Sequence, residues 1–277
     1  TLVRHLECAA TRERHDSRFR RGIVRLPVLR PPTKNRCVID NDARAAFDHV
    51  RIWVFDLDNT LYPAECNLFD QIDVRMTRFV SDFLSLSETD ARRIQKQYYA
   101  EHGTTLNGLM SVHDMDPGPF LEYVHDLDLT PIPVLENLHA AVSELPGRKY
   151  VFTNGTKAHA DRVVGKLGLT GLFNGYFGIE DAGYEPKPRR SAFDKLHEKF
   201  DIAPKKAVMF EDLSRNLKTA HDLGYTTVLV HSAKDWSHEP EGARPGQHQE
   251  SDAHIHFLTD CLTTFLSTAR KSGPETR

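Results

Sequence analysis

Arg51-Ile52-Trp53-Val54-Phe55-Asp56-Leu57-Asp58-Asn59-Thr60 sets a short apolar run directly before two carboxylates and a turn-forming Asn. Residues 51–56 have the composition of a strand buried on both faces, because apolar side chains follow one another without the alternation of a half-exposed strand. Runs of the same kind recur at 149–153 (KYVFT), 207–210 (AVMF) and 226–230 (TTVLV), with a shorter one at 177–179. Amphipathic patterns of helical period lie between them, at 133–145, 157–168, 188–199 and 213–223. Strands alternating with helices of this length predict an α/β fold with a doubly wound parallel, Rossmann-like sheet. Such sheets bind ligands at the carboxyl ends of their strands. Three of the runs end there in polar groups: Asp56 and Asp58, Thr153 and Asn154, Glu211 and Asp212.

Residues 65–130 break the alternation. Helical patterns at 66–85 and 88–101 follow with no strand between them, which reads as a helical cap inserted after the first strand. The expected organisation is a basic N-terminal extension at 1–49, a catalytic core at 50–64 and 131–270, the cap at 65–130 and a tail at 271–277. Residues 1–36 carry nine Arg and one Lys against Glu7, Glu13 and Asp16, without sustained periodicity, and are expected to be a disordered tail. The chain begins at Thr1 and its first methionine is Met76, which reads as a processed or truncated start. Residues 232–252 are rich in Pro, Gly and charge and predict a loop, followed by a strand at 253–257 and a closing helix at 258–269. His254 and His256 could face one side of that strand as a metal pair, but no third ligand is evident and solvated rings are the plainer reading.

Apolar residues make up 39% of the 277-residue chain and charged residues 27%, enough for a packed core. No stretch approaches the length of a transmembrane helix, so no membrane partner is expected. A net charge of −3 argues against a nucleic-acid partner held by bulk electrostatics. Cys8, Cys37, Cys66 and Cys261 are too scattered for a zinc knuckle or a disulfide scaffold, and a cytoplasmic location is expected.

Four pieces carry chemistry, and each has a plain alternative. Asp56 and Asp58 at a strand end could converge on a divalent cation, or form a solvated turn. Thr153-Asn154-Gly155 could bind an anion, or cap a helix. Lys187, stiffened between Pro186 and Pro188, could neutralise a phosphate and a carboxylate, or sit in a surface turn. Glu211 and Asp212 could complete an oxygen-rich metal site, or begin a helix.

In this order, each at a strand end, the pieces resemble the four motifs of the haloacid dehalogenase superfamily: Asp56-x-Asp58-x-Thr60, Thr153-Asn154, Lys187 and Glu211-Asp212. Within it, Leu61-Tyr62-Pro63, the stretch from Tyr98 to Leu109, Phe120-Leu121-x-x-Val124-His125 and Leu145-Pro146-Gly147-Arg148-Lys149 are similar to the pyrimidine 5′-nucleotidase family. The resemblance implies a Mg²⁺-dependent phosphatase acting through an aspartyl-phosphate. In it Asp56 is the nucleophile and Asp58 the general acid and base. Thr153, the Asn154 backbone and Lys187 hold the transferring oxygens. The metal is held by Asp56, the Asp58 carbonyl and Asp212, with Glu211 acting through a water. Dehalogenases of the superfamily lack an acid two residues after the nucleophile, so Asp58 implies phosphate esters.

The implied substrate is a small phosphate monoester, UMP or CMP, hydrolysed to nucleoside and phosphate. Phe69, Tyr98, Tyr99, His102 and Asn107 of the cap are candidate base contacts, or else part of the cap's own core. The rivals are a phosphatase of a sugar phosphate or a lysophosphatidate, and a non-catalytic binding protein.

Overall fold

The computed structural model describes residues 47–269, apart from 136, 238, 240–242, 250 and 251. The N-terminal extension up to residue 46, Cys8, Cys37, His238 and the tail therefore lie outside the described residues.

Six strands form one sheet. They are β1 (Ile52–Phe55), β2 (Arg148–Phe152), β3 (Gly175–Phe177), β4 (Ala207–Glu211), β5 (Thr226–Val230) and β6 (Phe257–Thr259). Their spatial order is β3-β2-β1-β4-β5-β6 and every pairing is parallel. Among the described residues five α-helices lie between β1 and β2, and the first four form the insert: α1 (Leu68–Leu84), α2 (Glu88–His102), α3 (Thr105–His113) and α4 (Pro117–Val124). After them come α5 (Leu138–Ser143), α6 (Lys157–Lys166), α7 (Arg190–Phe200), α8 (Ser214–Leu223) and α9 (Leu262–Ala269). Among the described residues no helix is long and apolar enough to cross a membrane.

The unbroken apolar character of β1 follows from burial on both sides. Trp53 and Phe55 face one core with Phe210, Val163, Ala141 and Phe265, so α5, α6 and α9 cover that face. Ile52 and Val54 face the other with Phe193, Leu196 and Leu217, under α7 and α8. The Trp53 ring lies parallel to that of Phe47, 6.1 Å away, and its Nε1 donates to the Pro146 carbonyl at 2.7 Å. Phe47 is thus part of the core, ahead of the point where the sequence sets its start.

The insert has a core of its own, built from Val80, Ala91, Tyr98, Leu109 and Phe120 among others. Helix α2 is delimited by its ends: the Ser87 side chain accepts from Asp90 N–H, and Gly103 takes a left-handed conformation after the last turn.

Edges differ from expectation. The strand expected at 177–179 is β3 at Gly175–Phe177, and the one expected at 253–257 is β6 at Phe257–Thr259. Both are three-residue edge strands, too short for composition to set their register. His254 and His256 are no metal pair: His254 Nε2 bonds the Ser214 hydroxyl at 2.8 Å and His256 Nδ1 that of Thr227 at 2.7 Å.

Gly147 and Gly168 both have positive φ, +83° and +70°. A Cβ on Gly147 would run into the Arg51 carbonyl at the entry to β1, whereas a Cβ on Gly168 would meet nothing within 4 Å. Gly168→Ala is expected to cost only the backbone term, roughly 1–2 kcal/mol. Gly147→Ala should lower the urea midpoint clearly further, because strand and turn must also separate. Equal midpoints for the two variants would contradict this.

Candidate active site

The polar strand ends converge because the sheet is parallel and β1 lies beside both β2 and β4. In the β1/β4 register Phe55 stands opposite Phe210, and Asp56 N–H donates to the Phe210 carbonyl at 2.9 Å. Asp56 and Glu211 therefore leave the same end of adjacent strands.

Asp56 is 7% exposed, Asp212 5%, and Glu211 and Lys187 only 1% each. The Lys187 ammonium lies 2.6 Å from Asp56 Oδ1, 2.7 Å from Glu211 Oε2 and 2.9 Å from the Phe152 carbonyl. The second Asp56 oxygen accepts from the Thr60 hydroxyl at 3.1 Å. Glu211 Oε1 accepts from the backbone N–H groups of Asp212 and Leu213, each at 3.2 Å. Asn154 exchanges two bonds with the backbone of Lys187, at 2.8 and 3.2 Å, and so anchors the segment that carries the ammonium. Thr153 is buried, and its hydroxyl accepts from Gly155 N–H at 2.9 Å.

Three carboxylates share one ammonium, and the electrostatics follow. Burial, reinforced by repulsion from Glu211, pushes the Asp56 carboxyl up to about 7. The same two causes raise Asp212 well above the usual carboxylate range. Burial opposes ionisation of Glu211 as well, but the Lys187 ammonium outweighs it and holds Glu211 below its usual value. For Lys187, burial is overcome by Asp56 and Glu211, which raise its pKa.

This arrangement fits a hard divalent cation. Carboxylate oxygens of Asp56, Glu211 and Asp212 lie within 4.8 Å of one another. Asn59 Oδ1 and Asn216 Oδ1, beside them in the cleft, are buried acceptors without a donor. Excess negative charge and unfilled oxygen acceptors are what a hydrated, oxygen-seeking ion satisfies.

Asp58 is held elsewhere. Its Oδ1 accepts from the Tyr62 hydroxyl at 2.5 Å and lies 2.9 Å from His159 Nε2. Burial works to raise its pKa, but His159 and Tyr62 lower it below the usual carboxylate value. Its partners are thus donors, unlike those around the acid cluster.

A cleft of about 200 Å³ opens between the strand ends and the insert, lined by Asp56, Asp58 and Lys187 at one end and by Phe69, Ile72, Met76, Leu106 and Phe120 along its wall. Of the insert residues singled out in the sequence, Phe69 and Tyr99 line this cleft, whereas Tyr98, His102 and Asn107 do not. Neighbours on a helix point about 100° apart, and here that rotation sets Tyr99 on the cleft and Tyr98 in the insert's core. Tyr98 turns into the insert's core with its hydroxyl 2.7 Å from His113 Nε2, and its ring meets His102 edge-on. Asn107 occupies the first turn of α3, where its N–H bonds the Thr104 hydroxyl.

Several residues at the site carry no signal in the sequence. Arg215 bonds the Tyr99 hydroxyl and packs over its ring at 4.7 Å, joining α8 to the insert. The loop expected at 232–252 forms a wall of the cleft through Trp236, Glu239 and Pro245. It is tied to the insert by Lys96–Glu239 at 2.8 Å and Lys234–Asp70 at 2.7 Å, and to the acid cluster by Gly246 N–H on the Asp212 carbonyl at 2.6 Å. His159 and Tyr62 make contacts that only the folded chain creates.

Known proteins share this fold. A HAD phosphatase from Thermococcus onnurineus superposes with a TM-score of 0.53 at 19% identity, covering 80% of this chain and 97% of that one. The L-2-haloacid dehalogenase of Xanthobacter autotrophicus gives 0.52 at 13% identity, over 80% and 98%. At these identities the likeness is one of fold. By sequence, phosphate metabolism protein 8 of Saccharomyces cerevisiae is 25% identical over 234 residues, 76% of this chain and 70% of that protein. Enolase-phosphatase E1 of Frankia alni is 40% identical over 101 residues, 36% of this chain and 35% of that one. Residues 50–224, well over half of the chain, match the family model of haloacid dehalogenase-like hydrolases, and the chain belongs to that family.

Proposed function

We propose that this hydrolase is a Mg²⁺-dependent phosphatase of small phosphate monoesters, working through an aspartyl-phosphate on Asp56. The observation that carries the reading is the pair Asp56 and Asp58: one carboxylate among acids and an ammonium, the other held by hydrogen-bond donors, both at one end of the cleft.

In this reading an Asp56 oxygen attacks phosphorus. The P–O bond to the leaving group breaks, and the leaving oxygen keeps the electron pair and takes a proton from Asp58. Water then attacks the phosphorus of the aspartyl-phosphate and gives a proton to Asp58; the bond to Asp56 breaks, freeing phosphate. Lys187, Thr153 and the Asn154 backbone hold the phosphoryl oxygens. Asp56, Asp212 and the Asp58 carbonyl would hold Mg²⁺ directly, and Glu211 through a water. The ion would offset the carboxylates' mutual repulsion and draw charge from the phosphoryl group.

For the substrate we propose a pyrimidine nucleoside 5′-monophosphate, supported by the family-like stretches of the insert and by Phe69 and Tyr99 on the cleft wall. The relatives' names, phosphate metabolism protein and enolase-phosphatase, agree with phosphate chemistry at large. The apolar side chains Ile72, Met76, Leu106 and Phe120 favour one second reading, in which an acyl chain of a lysophosphatidate lies along that wall.

Rates on UMP, CMP, lysophosphatidate and a sugar phosphate test the choice. UMP and CMP are expected to give the highest kcat/KM, and a large margin for another ester would reject the nucleotide reading. Asp56→Asn should lower phosphate release by at least about three orders of magnitude with the fold intact. Retained turnover would remove Asp56 from the nucleophile's role.

The metal reading makes a separate prediction. With Asp56 raised to about 7 and Asp212 raised as well, the cation-free folded chain holds protons that the unfolded chain has already lost. The folded state then binds more protons, so this site's contribution to stability falls as pH rises from about 4 to 7. A divalent cation takes the place of those protons. Added Mg²⁺ should therefore raise the thermal midpoint more at about pH 8 than at about pH 5.5. Asp212→Asn should remove the rise. An equal rise at both values would show that the ion binds elsewhere.

A further inference from the structure

We infer that His159 and Tyr62 are positioning residues that fix which oxygen of Asp58 meets the leaving group. The inference rests on the reading of Asp58 as general acid. Both side chains are 1% exposed, and they come from different parts of the chain: Tyr62 follows the Asp58 turn directly, and His159 lies in the first turn of α6. Both engage the same atom. Tyr62 Oη lies 2.5 Å and His159 Nε2 2.9 Å from Asp58 Oδ1. A carboxylate oxygen only accepts, so Nε2 carries the hydrogen of this bond. His159 Nδ1 is buried with no partner, and nothing competes for the ring's proton from that side.

The consequence is geometric. Two donors occupy the lone pairs of Oδ1, which leaves Oδ2 as the oxygen that can exchange a proton with substrate. Asp58 lines the cleft, so that exchange takes place where a leaving group would sit. His159 is itself kept in place. Its backbone N–H is capped by the Thr156 hydroxyl at 3.1 Å, and its ring stacks on His125 at 4.6 Å and 20°. His125 ends α4 of the insert, so the clamp on the acid is backed by the insert and not by the core alone.

A residue acting through Asp58 matters in proportion to how much the leaving group needs a proton. p-Nitrophenolate departs unaided, whereas the alkoxides of UMP and glycerol 3-phosphate do not. The parameter to compare is kcat/KM, which covers steps up to formation of the aspartyl-phosphate and excludes its hydrolysis. For the Mg²⁺-loaded full chain, Asp58→Asn sets the reference pattern: a large loss on the alkyl esters and a small one on p-nitrophenyl phosphate.

His159→Phe and Tyr62→Phe should reproduce that pattern, with losses of at least about tenfold on the alkyl esters and within about threefold on p-nitrophenyl phosphate. His159→Gln, whose amide nitrogen reaches the place of Nε2, should restore most of the loss. Tyr62→Phe removes one hydroxyl and keeps the ring, so it carries the test if His159→Phe fails to fold. Equal losses on both ester types, or none, would overturn the inference while leaving Asp58 in its role. A flat pattern in Asp58→Asn itself would instead remove the acid and this inference with it.

Discussion

One ammonium is placed where three carboxylates meet. Lys187 Nζ, almost fully buried, touches Asp56 and Glu211, while Asp212 makes no ion pair among the described residues. Taking charges out of water is costly, and a buried cluster persists only if the charges compensate one another. Here compensation is incomplete, and burial together with repulsion from Glu211 raises the pKa of Asp56 and of Asp212. The rest of the architecture can be understood as the means of holding this imbalance in place: two apolar cores clamp the sheet, and parallel pairing brings the strand ends to one edge.

The insert and the loop after β5 act on the same site from outside. Tyr99 meets Arg215, Lys96 meets Glu239, and Lys234 meets Asp70. Exposed ion pairs contribute little individually. The Lys96 pair is better sheltered, with side-chain exposures of 23% and 14%, and Lys96 also bonds Asp73. Asp73 gathers Arg92, Gln95 and Lys96 in turn, so α1, α2 and the loop share one polar network at the cleft. The network joins the insert to the loop after β5, and Asp73, Gln95, Lys96 and Glu239 all line the cleft.

How far this was legible in the sequence depended on element length and burial. The central strands β1, β2, β4 and β5 are recognisable because burial on both faces demands unbroken apolar runs, and the polar residues that follow them stand out. The edge strands β3 and β6 lack that signature and are displaced from where composition sets them. Helices α3 and α4 leave no clear period in the sequence, because nine and eight residues give few turns. For Tyr98 and Tyr99 the sequence marks both aromatics, and only the rotation of α2 decides which one meets the cleft. Tyr62 and His125 lie in stretches that resemble the family, yet their contact with the acid and with His159 is tertiary. His159, 101 positions from Asp58, had no local pattern to betray it.

Asp56 and Asp58 are two like groups, two residues apart, with different surroundings. A strand end turns them to opposite environments: Asp56 toward other carboxylates, Asp58 toward donors. Burial and Glu211 raise the first, whereas His159 and Tyr62 outweigh burial and lower the second. In carboxyl pairs that divide nucleophile from acid the raised member is usually the acid, so these directions alone do not assign the proposed roles. In the proposed reaction both surroundings change on loading. Held beside a divalent cation, Asp56 would favour its ionised form, and Asp58 would favour its protonated form with a phosphoryl group next to it. Both changes would run opposite to the directions set by the fold alone, Asp56 toward its ionised form and Asp58 toward its protonated one. The fixed contacts of Tyr62 and His159 on Oδ1 are compatible with either state of Asp58, since neither requires the oxygen that would gain or lose the proton.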